Sequence, residues 1–273
     1  MREAFGHPAA GCAIFVLMPE LPEVETVVRG LNRALPGRRI TEVRLGKTDF
    51  IEDPVALSER LPGREILVVR RYGKFLSIEF GGGCVEREEF RESCYLLVHL
   101  GMTGQLTVQP AAQAALAHTH AYFLLDDGRE LRYTDVRRFG QMIVAGTERL
   151  RELLGHLGAE PLEISLAEFG ARLHKRRARV KALLLDQEVL RGMGNIYCDE
   201  TLWRARIHPA RLGASLRGRE IALLHRAMRV ILEEAIELGG SSISDYVDAE
   251  GQRGEFQLRH RVYQRLGKKC FRC

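Results

Sequence analysis

Between Ile40 and Val144 short runs rich in Val, Ile, Leu, Tyr and Phe alternate with turn signals such as Gly81-Gly82-Gly83 and Asp127-Gly128. That spacing predicts antiparallel strands and a β-rich first domain. Ahead of it, Pro22 to Leu35 places Val24, Val27, Val28 and Leu31 on one face, with Glu23 and Glu25 in the first turn and Pro36-Gly37 beyond the end. The pattern predicts a short leading helix. After about residue 150 a period near 3.6 takes over, in Ile164 to Leu173, Val180 to Leu190 and Ala222 to Leu238, so the second half is expected to be helical. Pro161 in GAEPL stands where the character changes, and the stretch before it reads as the linker. The Ala-rich Pro110 to Ala117 reads as a mobile loop, and no internal repeat is visible.

Composition narrows the class. A chain of 273 residues, 45% apolar and 28% charged, can bury a core without a disulfide framework. Cys12, Cys84, Cys94 and Cys198 are scattered, and only Cys270 and Cys273 have metal-ligand spacing. A reducing cytoplasm is therefore expected. No apolar run approaches the roughly 20 residues of a membrane span, and Cys12 to Leu17 is too short for a secretory signal. The net charge is +5 and unevenly placed. Arg172 to Lys181 carries six Lys or Arg and no acid, and Gly251 to Cys273 carries seven against Glu255 alone. Nucleic acid is the leading partner for such segments, with a solvated helix face or tail equally open on charge alone.

Several pieces carry chemistry. Met18 to Leu31 reads MPELPEVETVVRGL, and after it come RRYGKFL around Lys74, HLGMTG from His99, YTDVRRFG from Tyr133, GMGNIY from Gly192 and a closing CFRC. An amino-terminal proline is a secondary amine that can attack a sugar C1′ and leave a positively charged iminium, an electron sink that needs no protonation. Read bare, the same Pro-Glu-Leu-Pro-Glu run is a helix start. In this order the pieces closely resemble the formamidopyrimidine-DNA glycosylase family over residues 18 to 273. The resemblance implies an α+β multidomain protein. Residues 18–150 would be a β-sandwich catalytic domain with a flanking helix, 151–250 a helical domain with a helix-two-turn-helix motif, and 251–273 an incomplete zinc-finger region. Residues 1–17 would be an extension absent from the mature protein.

The implied activity is base-excision repair of DNA damage: removal of oxidised purines such as 8-oxoguanine and formamidopyrimidines, then AP lyase cleavage by β,δ-elimination. By resemblance Pro19 is the Schiff-base nucleophile, Glu20 the proton donor and acceptor, and Lys74, on a predicted strand, a proton donor and phosphate contact, while Glu23 organises that end. Met102, Arg137 and Phe139 match the family's void-filling trio, although a lone Met or Phe is more often core. His99, His118, Arg138, Arg177 and Asn195 are phosphate candidates. The His118/His120 pair lacks a third metal ligand nearby. In GMGNIY the glycines allow close approach of a helix start to phosphate, or serve as a plain cap. Ser241 to Phe256 suits a loop over an extruded base. The partner implied is double-stranded DNA with oxidised bases or abasic sites, bound by a monomer without membrane attachment.

Two departures matter. A proline inside a chain has a tertiary amide nitrogen and cannot attack, so the 17-residue leader predicts that translation starts at Met18 and that this initiator is removed. At the other end Cys270 and Cys273 supply two ligands where tetrahedral zinc needs four, so truncation and weak zinc binding are expected, with loss of the finger arginine. Two alternatives stand beside the main reading: an endonuclease VIII-like glycosylase for oxidised pyrimidines, and a damaged-DNA-binding protein without catalysis.

Overall fold

The computed structural model describes residues 18–81, 93–243 and 245–272. The leader, Gly82-Gly83, Cys84 and Cys273 lie outside them. Helix α1 spans Leu21–Ala34. It begins where Glu23 reaches back to accept the Glu20 backbone N–H at 3.0 Å, which satisfies a donor that a helix start leaves unpaired. Its face of Val24, Val27, Val28 and Leu31 is buried, as the spacing predicts.

Eight strands follow: β1 (Ile40–Leu45), β2 (Glu65–Tyr72), β3 (Phe75–Gly81), β4 (Cys94–His99), β5 (Gln105–Pro110), β6 (Thr119–Leu125), β7 (Arg129–Thr134) and β8 (Gln141–Ala145). They form two four-stranded antiparallel sheets, ordered β1-β6-β7-β5 and β2-β3-β4-β8. One cluster takes Val24 and Leu31 from α1, Leu76 and Phe80 from β3, and Phe123 and Tyr133 from the other sheet. A short helix α2 (Pro54–Arg60) interrupts the strands, capped by the Asp53 carboxylate on the Ala56 N–H at 2.9 Å. Helix α3 (Thr147–Leu154) lays Leu150 and Leu153 on Leu97 and Ala145. The Ala-rich segment after β5, expected to be mobile, is instead tied down. The buried Arg132 guanidinium donates to the carbonyls of Pro110 and Gln113 at 3.2 and 2.7 Å.

The second half is helical, with α4 (Leu166–Lys175), α5 (Val180–Leu185), α6 (Asn195–Ala205) and α7 (Gly218–Glu237) around their own core. Helix α5 is shorter than its apolar pattern predicts. The Asp186 side chain accepts the Glu188 N–H at 2.9 Å, and this Asx turn ends the helix. Among the described residues no helix is long and apolar enough to cross a membrane.

Two segments of the chain tie the halves together. Leu21 packs with the helical core while the rest of the buried α1 face packs with the sheets, and the Leu21 N–H donates to Gly192 O at 2.9 Å. After α7, Tyr246 and Ala249 return to the first core. Their segment joins β5 through Val108 N–H to Ala249 O at 2.9 Å. A buried ion network closes the seam: Arg71 meets Glu25 and Glu160 at 2.8 Å each, and Arg191 meets Glu160 at 3.1 Å.

Candidate functional site

Pro19 and Glu20 lie buried at the start of α1, on the seam. The Glu20 carboxylate is seated on the N-terminus of α6, accepting the Ile196 and Tyr197 N–H groups at 3.0 and 3.3 Å. Gly194 makes this possible, since a Cβ there would fall 2.2 Å from the Glu20 carboxyl carbon. Of the two glycines in GMGNIY, Gly194 thus admits a protein carboxylate to the helix start, while a Cβ at Gly192 would meet Leu21 and Gly73. The helix end supplies N–H donors and the positive end of its dipole. Glu23 lies beside Glu20, accepting from the Ser241 N–H at 2.6 Å and from the Tyr197 hydroxyl.

Both carboxyls are almost sealed from solvent, Glu20 at 4% and Glu23 at 2% exposure. Burial pushes Glu20 up to about 7; the Lys74 ammonium opposes this, the Glu23 charge adds to it, and the α6 amides oppose it. Burial also raises Glu23, against the Tyr197 and Ser241 donors. The folded protein therefore retains a proton that the unfolded chain releases as pH climbs from 4.5 to about 7. Stability from Glu20 is complete below about 4.5 and declines as pH rises through about 7. Denaturant titrations across that window are expected to show a loss of up to roughly 3 kcal/mol, and a flatter profile in Glu20→Gln. Equal slopes in the two proteins would contradict the assignment.

Lys74 sits with Gly73 in the two-residue turn joining β2 to β3, where Tyr72 pairs with Phe75. The predicted strand position gives way because the hairpin must reverse there. The turn presses on the loop before α6, and the Lys74 charge reaches both Glu20 and His99. His99, at the end of β4, accepts the Gly101 N–H on Nδ1 at 3.1 Å. Burial first, then Lys74, hold its ring down to about 4. A neutral His99 offers a phosphate one hydrogen bond and no charge.

Met102 stands in the loop between β4 and β5, Arg137 and Phe139 in the loop between β7 and β8. The structure brings the two loops together. Gly101 lies so close to the second loop that a Cβ would fall 2.5 Å from the Phe139 carbonyl carbon, and Arg137 N–H donates to Thr103 Oγ1 at 3.1 Å. The organiser is Asp135, which sequence reasoning left unassigned. Fully buried, it accepts from Thr103 Oγ1 at 2.5 Å, Tyr133 Oη at 2.9 Å, Gly140 N at 3.0 Å and Arg137 N at 3.2 Å. On this frame Phe139 is 57% exposed, with the Arg137 guanidinium 4.6 Å above its ring. A large exposed aromatic on a fixed loop suits insertion into a partner, not core packing.

The remaining candidates are more dispersed. His118 is exposed with φ at +65°. Arg138 is held by Asp49 at 3.1 Å. Arg177 is exposed between α4 and α5. Asn195 opens α6 beside the Glu20 site. Within the segment from Ser241 to Phe256, Ser241, Ser242, Tyr246, Ala249 and Phe256 are buried, and the Tyr246 hydroxyl donates to Glu23 O at 3.2 Å. Even so, Ser241 and Tyr246 line a small cleft shared with Pro19, Met102 and Ile196. Cys270 is exposed, and its expected zinc partner Cys273 lies outside the described residues. No group of three or more His, Cys, Asp or Glu able to hold a metal occurs among the described residues.

A carboxyl raised to about 7 lies beside a cleft, with a cationic turn and a loop carrying an exposed aromatic around it, an arrangement that can exchange protons with a bound molecule. Family models for the formamidopyrimidine-DNA glycosylase N-terminal domain and H2TH domain match residues 18–142 and 157–247. The formamidopyrimidine-DNA glycosylases of Solibacter usitatus and Pelotomaculum thermopropionicum are 46% and 44% identical, each match covering 94% of this chain and 91% of the relative. A Lactococcus lactis FPG mutant in complex with Fapy-dG containing DNA superposes with a TM-score of 0.83 at 34% identity, covering 93% of this chain and 92% of that one. The MutM (FPG) protein from Thermus thermophilus gives 0.80 at 39%, covering 93% and 91%. The fold is that of a base-excision-repair DNA glycosylase with AP lyase activity. The chain belongs to the formamidopyrimidine-DNA glycosylase family.

Proposed function

We propose that this chain removes oxidised purines from duplex DNA and cleaves the strand through a covalent imine formed by Pro19. The carrying observation is the buried Glu20 carboxyl, next to Pro19 and titrating near 7, which places its proton transfers in the range where acid–base catalysis is most effective. With its nitrogen free, Pro19 attacks C1′ of the damaged nucleoside and the base departs. Glu20 protonates the sugar ring oxygen as the C1′–O4′ bond opens to the iminium. Glu20, now a carboxylate, takes a C2′ proton as the 3′ phosphate leaves, a second elimination releases the 5′ phosphate, and water hydrolyses the imine to free Pro19. Lys74, whose charge already reaches Glu20, would donate a proton or hold a phosphate during these steps.

The neighbour solved with Fapy-dG containing DNA, and the Lactococcus lactis Fpg solved with an abasic site containing DNA, support duplex DNA as the partner. Met102, Arg137 and Phe139 would fill the space left by the flipped nucleotide, which offsets part of the unstacking energy. His99, His118, Arg138, Arg177 and Asn195 would engage phosphates, His99 as a neutral donor and Arg138 after leaving Asp49. In this reading residues 18–150 form a β-sandwich catalytic domain and 151–250 the helix-two-turn-helix domain, in a monomer working on cytoplasmic DNA. A family zinc ion would draw on Cys270 and Cys273 for two of its four ligands, and no catalytic step depends on it.

The reading requires that residues 1–17 and Met18 be absent from the working enzyme. Borohydride trapping on a duplex containing 8-oxoguanine, with mass spectrometry of the amino terminus, tests it. Protein beginning at Pro19 is expected to form the adduct through that residue, and protein retaining Met18 to form none. Trapping through any other residue would overturn the mechanism. Binding to damaged DNA without scission by the Pro19 form would favour a non-catalytic role.

A further inference from the structure

A string of side chains leads away from the cleft toward the carboxy-terminal segment. Glu23 Oε1 accepts from the Tyr197 hydroxyl. Tyr197 Oη lies 3.4 Å from Ser241 Oγ, and Ser241 Oγ lies 3.1 Å from His260 Nε2. The His260 ring is fixed edge-on between Phe256 and Tyr263, each centroid at 5.6 Å. Four separate stretches of chain are thus joined in one string that ends on the Glu23 carboxylate. Proton counting sets the direction. Tyr197 has one hydroxyl proton and gives it to Glu23, so its oxygen is left to accept from Ser241. Ser241 also has one, so its oxygen accepts from His260 Nε2–H. The string is fully satisfied only with His260 as the outer donor.

We propose that His260 is a positioning residue, which through Ser241 and Tyr197 keeps Glu23 ionised beside Glu20. The proposal rests on the glycosylase and lyase reading of this site and adds to it a residue remote from the reacting atoms. An ionised Glu23 is what helps raise the Glu20 carboxyl, and burial alone works against that ionisation. Other groups face the pair: Lys74 from the β2–β3 turn, Cys198 from α6 and Tyr246 from the returning segment. Around His260, burial disfavours the charged ring and Glu200 of α6 favours it. With the neutral ring in its Nε2–H tautomer the same nitrogen donates as in the charged ring, so the string does not depend on the charge of the ring.

His260→Leu removes the donor at similar volume, and His260→Gln restores an N–H near the Nε2 position. In the Pro19 form, His260→Leu is expected to move the alkaline limb of the pH profile for abasic-site cleavage downward by roughly half a unit, with KM for DNA unchanged. His260→Gln is expected to keep the parent profile, and His260→Leu to add nothing in a Ser241→Ala background. The 13C shift of the Glu23 carboxyl, assigned with Glu23→Gln, is expected to titrate higher in His260→Leu. That shift is readable whether or not the protein cleaves DNA, so failure of the glycosylase reading would be seen separately. A parent-like Glu23 titration in folded His260→Leu, or a Gln variant that behaves like Leu, would overturn the proposal.

Discussion

Replacing Glu20 by Gln is expected to lower single-turnover strand cleavage by roughly a hundred- to ten-thousand-fold, the range for loss of a positioned acid–base group. The amide cannot give up a proton at neutral pH. Its NH2 would also face the α6 donors, so either the Ile196 or the Tyr197 N–H would lose its acceptor. Binding to duplex carrying an uncleavable abasic analogue should change little, because the amide keeps the size of the carboxyl and what is lost is a proton transfer in the transition state. Cleavage within tenfold of the parent would remove Glu20 from the chemistry.

Arg71→Ala is expected to cost about 3–5 kcal/mol, as for removal of one partner from a buried ion network. The Arg71 side chain is 8% exposed and that of Glu160 6%. The guanidinium spends its Nε on Glu25 and its two terminal nitrogens on Glu160. A lysine offers no such planar fork, so Arg71→Lys should recover only a small part. Because Glu25 belongs to α1 and Glu160 to the segment ahead of α4, the loss should fall on the joint between the halves. Denaturant unfolding is expected to separate into two transitions. A single transition destabilised by less than 1 kcal/mol would show that apolar packing alone holds the seam.

What the sequence revealed and what it hid follow the range of the interactions. Helix α1 was legible because Val24, Val27, Val28 and Leu31 repeat within a few turns, and the strands because alternation and turn residues are equally local. Helix α2 was lost among strand signals although Asp53-Pro54 is a fair helix start. At the site, Pro19, Glu20 and Lys74 stood out through contiguous motifs. Their setting did not: the Tyr197 hydroxyl meets a carboxylate 174 positions earlier, and the Ser241 N–H one 218 positions earlier. No periodicity encodes such pairs. Asp135 was visible inside YTDVRRFG, yet its task of collecting four donors arises only when two loops meet.

The lodging of Glu20 on α6 ties chemical competence to completed folding. A nascent or proteolysed amino-terminal fragment lacks the helix that receives this side chain, and there Glu20 is an ordinary solvated acid, stripped of its proton in the cell. On the proposed mechanism such fragments would not cleave damaged DNA, and the cut would require both halves of the molecule to have come together.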